Sequence, residues 1–171
     1  MIDDFTIAPL TERHDRAAFD CGEPSLNEYL QRFARQNAEL FLGRTYVLTA
    51  PGEPRIEGYY TISSGSVDRE ALPEKRLSRY PIPIVLVGRL AVDLSAQGQG
   101  AGEHLLLDAL KRSAQLAQHP GIYAIVVDAL NPPARRFYQK YGFAETSDNP
   151  MRLYLTIKKI LQTAIEPSQK R

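Results

Sequence analysis

Val92-Asp93-Leu94-Ser95-Ala96-Gln97-Gly98-Gln99-Gly100-Ala101-Gly102-Glu103-His104-Leu105-Leu106-Leu107 decides how this chain is read. It follows an apolar run, Ile82 to Val92, and leads into a helical pattern that reaches about His119. Strand, glycine-rich turn and helix form an arrangement that binds phosphate. Glycines let the backbone come close and take φ > 0, and the unpaired N–H groups of a helix start face an anion with the helix dipole behind them. A nucleotide-hydrolysing P-loop needs Lys-Ser or Lys-Thr after its glycines. Gly102 is followed by Glu103-His104, so that reading fails. A dinucleotide fold usually places such a turn after the first strand of a βαβ unit, whereas this one lies past the midpoint of the chain.

Upstream, Ile84 to Val92 is nearly continuous apolar sequence, as expected of a central strand buried on both faces. Arg89 interrupts it and either ends in a solvated cleft or pairs with an anion. Downstream, Leu106, Leu110 and Ala114, widened by Leu105, Leu107 and Ala109, make the apolar stripe of a helix stopped by His119-Pro120-Gly121. His104, in the first turn, reads as structural or solvent-facing. Tyr123 to Leu130 is a second buried strand. Asn131 then suits an N-cap, Pro132 the first helical position and Gly142 the C′ position of a short helix. Phe143 restarts a strand, and Met151 to Ile157 forms the last one, with odd-numbered residues inward.

Towards the start, Phe5–Leu10, Thr45–Thr49 and Ile56–Ser63 read as strands. Tyr59 and Tyr60 point to opposite faces by the two-residue period. Ser25-x-x-Glu28 carries a capping-box signature, followed by Leu26, Tyr29, Leu30 and Phe33 at helical spacing. Ser64 to Pro83 is a polar, proline-marked connection containing Arg69, Lys75, Arg76 and Arg79.

The 171 residues read as one domain, 1–164, with a disordered tail from 165 to 171. A hydrophobic fraction of 43% supports a core, and a net charge of +1 argues against a strongly basic nucleic-acid protein. One cysteine, Cys21, excludes an intrachain disulfide, and zinc-ligand spacings are absent, so no metal is expected. Neither a signal peptide nor a membrane span is visible, and a cytoplasmic protein without membrane contact is expected.

Two of these features together resemble the GNAT acetyltransferases. Their acyl-CoA signature, Arg/Gln-x-x-Gly-x-Gly/Ala, stands here as Gln97 to Gly102, and a second family feature follows as Asn131-Pro132-Pro133-Ala134-Arg135-Arg136-Phe137-Tyr138-Gln139-Lys140-Tyr141-Gly142-Phe143. The resemblance implies an α/β fold of the GNAT acyl-CoA N-acyltransferase type, a mixed central sheet flanked by helices, with acetyl-CoA as cosubstrate. It implies a bulged strand whose Leu90, Ala91 and Val92 offer backbone hydrogen bonds to the pantetheine arm. Gln97, Gly98, Gln99, Gly100, Ala101 and Gly102 would hold the pyrophosphate, and Asn131, Ala134 and Phe137 complete the cofactor set. It also implies that Tyr138 points its hydroxyl at the CoA sulfur. A phenol with pKa near 10 is protonated at neutral pH and can donate to the leaving thiolate.

Val85 to Val92 contains no carboxylate and no histidine. A lysine amine with pKa near 10.4 would need a strong base, whereas an α-amine near 7.7 needs little help. That points to an α-amine. A narrower resemblance agrees, to the GNAT toxins of type II toxin–antitoxin systems that acetylate aminoacyl-tRNA. It rests on Phe19-Asp20-Cys21-Gly22, Leu26-Asn27-Glu28-Tyr29-Leu30, Gly88-Arg89-Leu90-Ala91-Val92-Asp93 and Ala134-Arg135-Arg136-Phe137-Tyr138. This subgroup implies blocked translation, a homodimer, and a ribbon-helix-helix antitoxin through which alone operator DNA is bound and transcription repressed. Arg89, Arg135 and Arg136 are the candidate substrate contacts, with Arg32, Arg35, Lys75, Arg76 and Arg79 as a further basic rim. The alternatives are a GNAT enzyme acting on a small amine, a peptide N-terminus or a lysine, and a non-catalytic CoA- or partner-binding module.

Overall fold

The computed structural model describes residues 4–74, 76–77, 79–118 and 120–165; Lys75, His119 and residues 166–171 of the expected tail lie outside them. Its strands are β1 (Thr6–Pro9), β2 (Arg44–Thr49), β3 (Gly58–Val67), β4 (Ile82–Val92), β5 (Ala124–Asp128), β6 (Ala144–Glu145) and β7 (Arg152–Thr156). They form a seven-stranded sheet in the order β1-β2-β3-β4-β5-β7-β6. The β4–β5 pair is parallel, while β1–β2, β2–β3, β5–β7 and β6–β7 are antiparallel, so the sheet is mixed. The chain divides into two compact units, Met1–Ser63 with Gly88–Ala109, and Ser64–Val87 with Leu110–Arg171.

In the first unit β1 and β2 pair from Thr6↔Thr49 to Pro9↔Tyr46, and β2 pairs with β3 through Tyr46↔Tyr60. Tyr59 and Tyr60 are both fully buried. Helix α1 (Pro24–Glu28) runs through a π-helical turn, Tyr29–Phe33, into α2 (Ala34–Glu39). The expected capping box is not formed. Glu23 occupies the N-cap without a side-chain bond, Pro24 takes the first helical position, and Ser25 is already inside the helix. The π turn adds a residue and shifts the apolar stripe by one position. Phe33, expected on the buried face, is 43% exposed, and Ala34 is 1% exposed. The core here gathers Phe19, Tyr29, Leu30, Val47, Ile56, Tyr59 and Ala91. Helix α3 (Ala101–Leu116) begins in this unit and buries Leu105, Leu106 and Ala109. A Cβ on Gly58 would stand 2.8 Å from Leu105 Cδ1 and 3.1 Å from the Ala91 carbonyl, so a bare backbone there is what lets α3 seat closely. Leu107, expected to widen the stripe, is exposed.

In the second unit β4 and β5 run in parallel register from Ile84↔Ala124 to Val87↔Val127. The connection after β3 is not the open solvated loop its polarity suggests. Strand β3 extends to Val67, a 3-10 turn spans Arg69–Ala71, and Val67, Ala71 and Leu72 pack with Ile82, Ile84, Val126 and Tyr154. Glu74 accepts a hydrogen bond from the Tyr154 hydroxyl (3.1 Å). Tyr154 is buried along with Leu153 and Leu155, so β7 is covered on both faces rather than on its odd positions alone. Helix α4 spans Pro132–Lys140. A further helix, α5 (Ile157–Ile165), follows β7 directly.

Candidate active site

The phosphate-type loop is built in the first unit, where β4 ends. Asp93, only 3% exposed, caps the 3-10 turn Leu94–Ala96 by accepting from Ser95 N (3.0 Å). Its other oxygen accepts from the Asp20 N–H (2.9 Å), and Ser95 Oγ (2.7 Å) and Arg55 Nη2 (3.2 Å) complete its shell. Burial pushes this carboxyl's pKa up, but the bonds from Asp20, Ser95 and Arg55 outweigh it and hold the group below the usual aspartate value. The Gln97 side chain turns back, donating to the carbonyls of Cys21 (3.1 Å) and Val92 (2.9 Å). Gln99 donates to the Ser95 carbonyl (3.2 Å).

Gly98 (φ +78) and Gly100 (φ +86) then take left-handed conformations with nothing within 4 Å of where a Cβ would stand. Ala101 and Gly102 open α3, whose first-turn bond runs from His104 N to the Gly100 carbonyl (3.1 Å). An open glycine loop ahead of unpaired helix N–H groups suits a phosphate ligand, and the residues present fit the pyrophosphate of a CoA thioester.

Arg89 is half-buried on β4 and stacks over the Tyr29 ring, 3.6 Å from its centroid. The stacked guanidinium keeps part of its surface open, so the contact fixes Arg89 in place without occupying its hydrogen-bond donors. Leu90 and Val92 are half-buried and Ala91 is buried. Cys21 is buried, its thiol near the Glu23 carbonyl (3.7 Å), and burial pushes its pKa up, the opposite of an activated nucleophile.

The second unit carries the Tyr138 element. Asn131 caps α4, its Oδ1 accepting from Ala134 N (2.9 Å), with Pro132 at the first position. The helix closes with Gly142 at φ +94; Gly142 N bonds the Gln139 carbonyl (3.0 Å) and Phe143 N the Tyr138 carbonyl (3.2 Å). This is a Schellman closure, and the accompanying apolar contact is Phe143 on Tyr138, ring centroids 5.6 Å apart. Phe137 packs edge-on to Tyr138 at 5.4 Å. Tyr138 is therefore clamped along its ring and buried. Burial first, and the charge of Asp128 second, raise its pKa well above that of a free phenol. Its hydroxyl has no protein hydrogen-bond partner among the described residues.

Among the candidate substrate contacts, Arg135 is already engaged, with Glu145 (2.6 Å) and the Pro150 carbonyl (2.8 Å). Arg136 is exposed and has no ion-pair partner among the described residues. Arg32 pairs with Glu28 (3.2 Å), and Arg35 with Glu12 (2.8 Å) and Glu39 (3.9 Å), so both serve local structure. Sequence reasoning passed over Asp93 and Asn27 as site-shaping residues. The available signal was a lone carboxylate ending an apolar strand, a position that demands hydrogen bonds once buried.

Comparisons with known proteins identify the family. The acetyltransferase (GNAT) domain profile matches residues 44–145. A tRNA-acetylating toxin of Mycobacterium tuberculosis is 38% identical over 151 residues, which cover 87% of this chain and 90% of the relative. AtaT complexed with acetyl-methionyl-tRNAfMet superposes with a TM-score of 0.88 at 34% identity, covering 94% of this chain and 99% of that one. An AtaT tyrosine-to-phenylalanine mutant bound to acetyl-CoA and the C-terminus of the antitoxin AtaR gives 0.82 at 33%, with 95% and 99% covered. The AtaT–AtaR complex bound to DNA gives 0.76 at 33%, with 93% and 99% covered. The chain thus belongs to the GNAT acetyltransferase family, in the branch of the tRNA-acetylating toxins.

Proposed function

We propose that this chain is a toxin that transfers the acetyl group of acetyl-CoA to the α-amine of the amino acid on charged tRNA, so that the product can no longer serve elongation. The observation that carries the reading is the likeness, over nearly the whole length of both chains, to a tRNA-acetylating toxin and to AtaT holding its acetylated methionyl-tRNA. The missing strand carboxylate supports it, since an α-amine is the amine that least needs a base.

In this reading the amine nitrogen attacks the thioester carbonyl; a C–N bond forms, the C–S bond breaks, and a proton passes from nitrogen to sulfur. Acetyl-CoA supplies the activated acyl group and the thiolate leaving group. Gln97 to Gly102 hold the pyrophosphate through backbone N–H groups. The Leu90–Val92 backbone bonds the pantetheine arm and polarises the carbonyl. Asn131, Ala134 and Phe137 contact the cofactor, and Tyr138 gives its proton to the thiolate. Arg136 meets RNA phosphate, Arg89 holds the acceptor end, and Arg135 joins them only by leaving Glu145. The protein works in the cytoplasm as a homodimer in one GNAT domain, neutralised by a ribbon-helix-helix antitoxin that carries the complex to operator DNA. The AtaT–AtaR–DNA assembly supports the antitoxin and DNA part of this reading.

Cell-free translation tests it. The protein with acetyl-CoA should stop synthesis, fresh charged tRNA should restart it, and Tyr138→Phe should be inert. Inhibition that persists without acetyl-CoA would overturn the reading.

A further inference from the structure

Three hydrogen bonds join the Phe19–Gly22 turn to the end of β4 and the glycine loop, more than 70 residues away in sequence. Asp20 N donates to Asp93 Oδ1 (2.9 Å), Leu94 N to the Asp20 carbonyl (2.8 Å), and Gln97 Nε2 to the Cys21 carbonyl (3.1 Å). Gln97 Nε2 also donates to the Val92 carbonyl (2.9 Å), which folds the loop back on the strand end. The turn is closed partly from within: Asp20 Oδ1 accepts from Gly22 N (2.9 Å), and Gly22 sits at φ +90 with Leu94 Cδ2 only 3.5 Å from the position of a Cβ. Asn27 on α1 ties it down from outside. Its Oδ1 accepts from Cys21 N (2.8 Å) while its Nδ2 donates to Asp20 Oδ1 (2.9 Å). The amide does both at once, its oxygen accepting and its nitrogen donating.

We propose that Asn27 is a positioning residue for the acyl-CoA loop: it sets the turn, the turn sets Gln97 and Asp93, and these set the conformation of Gly98 and Gly100. Asn27 itself touches no reacting atom. The proposal rests on the reading of the loop as the acetyl-CoA site. It gives the N-terminal Phe-Asp-Cys-Gly stretch a task in cosubstrate binding rather than in substrate choice.

The test uses the full chain and two variants. Asn27→Asp keeps the acceptor for Cys21 N but turns a carboxylate towards Asp20 Oδ1, and Asn27→Ala removes both bonds without adding charge. The dissociation constant for acetyl-CoA, measured by calorimetry, should rise about tenfold in each. In turnover the change should fall on KM for acetyl-CoA, with kcat nearly unchanged. Unchanged affinity in either folded variant would overturn the proposal, and so would a loss confined to kcat. If N27D does not fold, N27A alone is read in the same way. A parent chain that binds no acetyl-CoA would instead overturn the reading of the loop, and this proposal with it.

Discussion

Tyr138 stays protonated throughout the neutral range because burial and the nearby Asp128 charge disfavour its phenolate. That makes it a constant hydrogen-bond donor but a reluctant acid. Full transfer to a thiolate, whose conjugate thiol has a pKa of about 8.5, is uphill unless the proton lost by the amine returns to the phenolate in the same event. The residue is thus better suited to relaying a proton from nitrogen to sulfur than to supplying one. Removing the hydroxyl in Tyr138→Phe should lower kcat by roughly 10²- to 10⁴-fold and leave acetyl-CoA binding intact, as single-turnover rates and calorimetry would show. The pH profile follows from the same argument. The limb of kcat/KM should rise with the free α-amine, with an apparent pKa at or below about 8, and should then stay flat to about pH 10 because Tyr138 does not ionise in that interval. A falling limb near pH 8 would mean that some other acid is used.

At the scale of elements, α4 was legible because its signals are local: Asn131 and Pro132 at one end and Gly142 at the other are the residues that the capping geometry requires. The positions of the buried strands along the chain were legible too, since such strands announce themselves by composition; their order in the sheet was not. The π turn was not, because Leu26, Tyr29, Leu30 and Phe33 fit a regular helix and only tertiary packing of Tyr29 and Leu30 selects the extra residue. Helix α5 was not legible, because Lys158-Lys159 interrupt the apolar pattern directly after Ile157, which is buried. The Asp93–Asp20 and Gln97–Cys21 bonds were illegible for a different reason, that sequence separation of this size carries no local signal. Helix α2 closes with Phe41 at φ +58, in the position where glycine is usual, with Phe41 N bonded to the Ala38 carbonyl (3.2 Å) and Leu42 N to the Asn37 carbonyl (2.9 Å). Phe41 is 89% exposed, so little packing compensates the strain. Phe41→Gly should therefore stabilise the isolated chain by about 1 kcal/mol, seen as a higher denaturant midpoint; a lower midpoint would show that the ring is packed.

For the whole molecule, a net charge of +1 hides how the cations are spent. Arg32, Arg35, Arg55, Arg135 and Arg152 all face carboxylates within 4 Å. Arg136 is exposed and unpaired among the described residues, so it is the better candidate for phosphate. Arg136→Ala should weaken charged-tRNA binding and reduce the salt slope by about one, while Arg32→Ala should change neither. Filter binding across a salt series would separate the two. Among the described residues no helix is long and apolar enough to cross a membrane.

The proposed acetyl acceptor is an α-amine on charged tRNA. The direct measurement incubates the protein with radiolabelled acetyl-CoA and total charged tRNA, with uncharged tRNA and Tyr138→Phe as controls, then hydrolyses the ester and identifies the released amino acid by mass. Label is expected on the α-amine of one or a few amino acids, none on uncharged tRNA and almost none with the variant. Acetyl-CoA binding without any label on charged tRNA would contradict it and would favour a small-amine or protein acceptor.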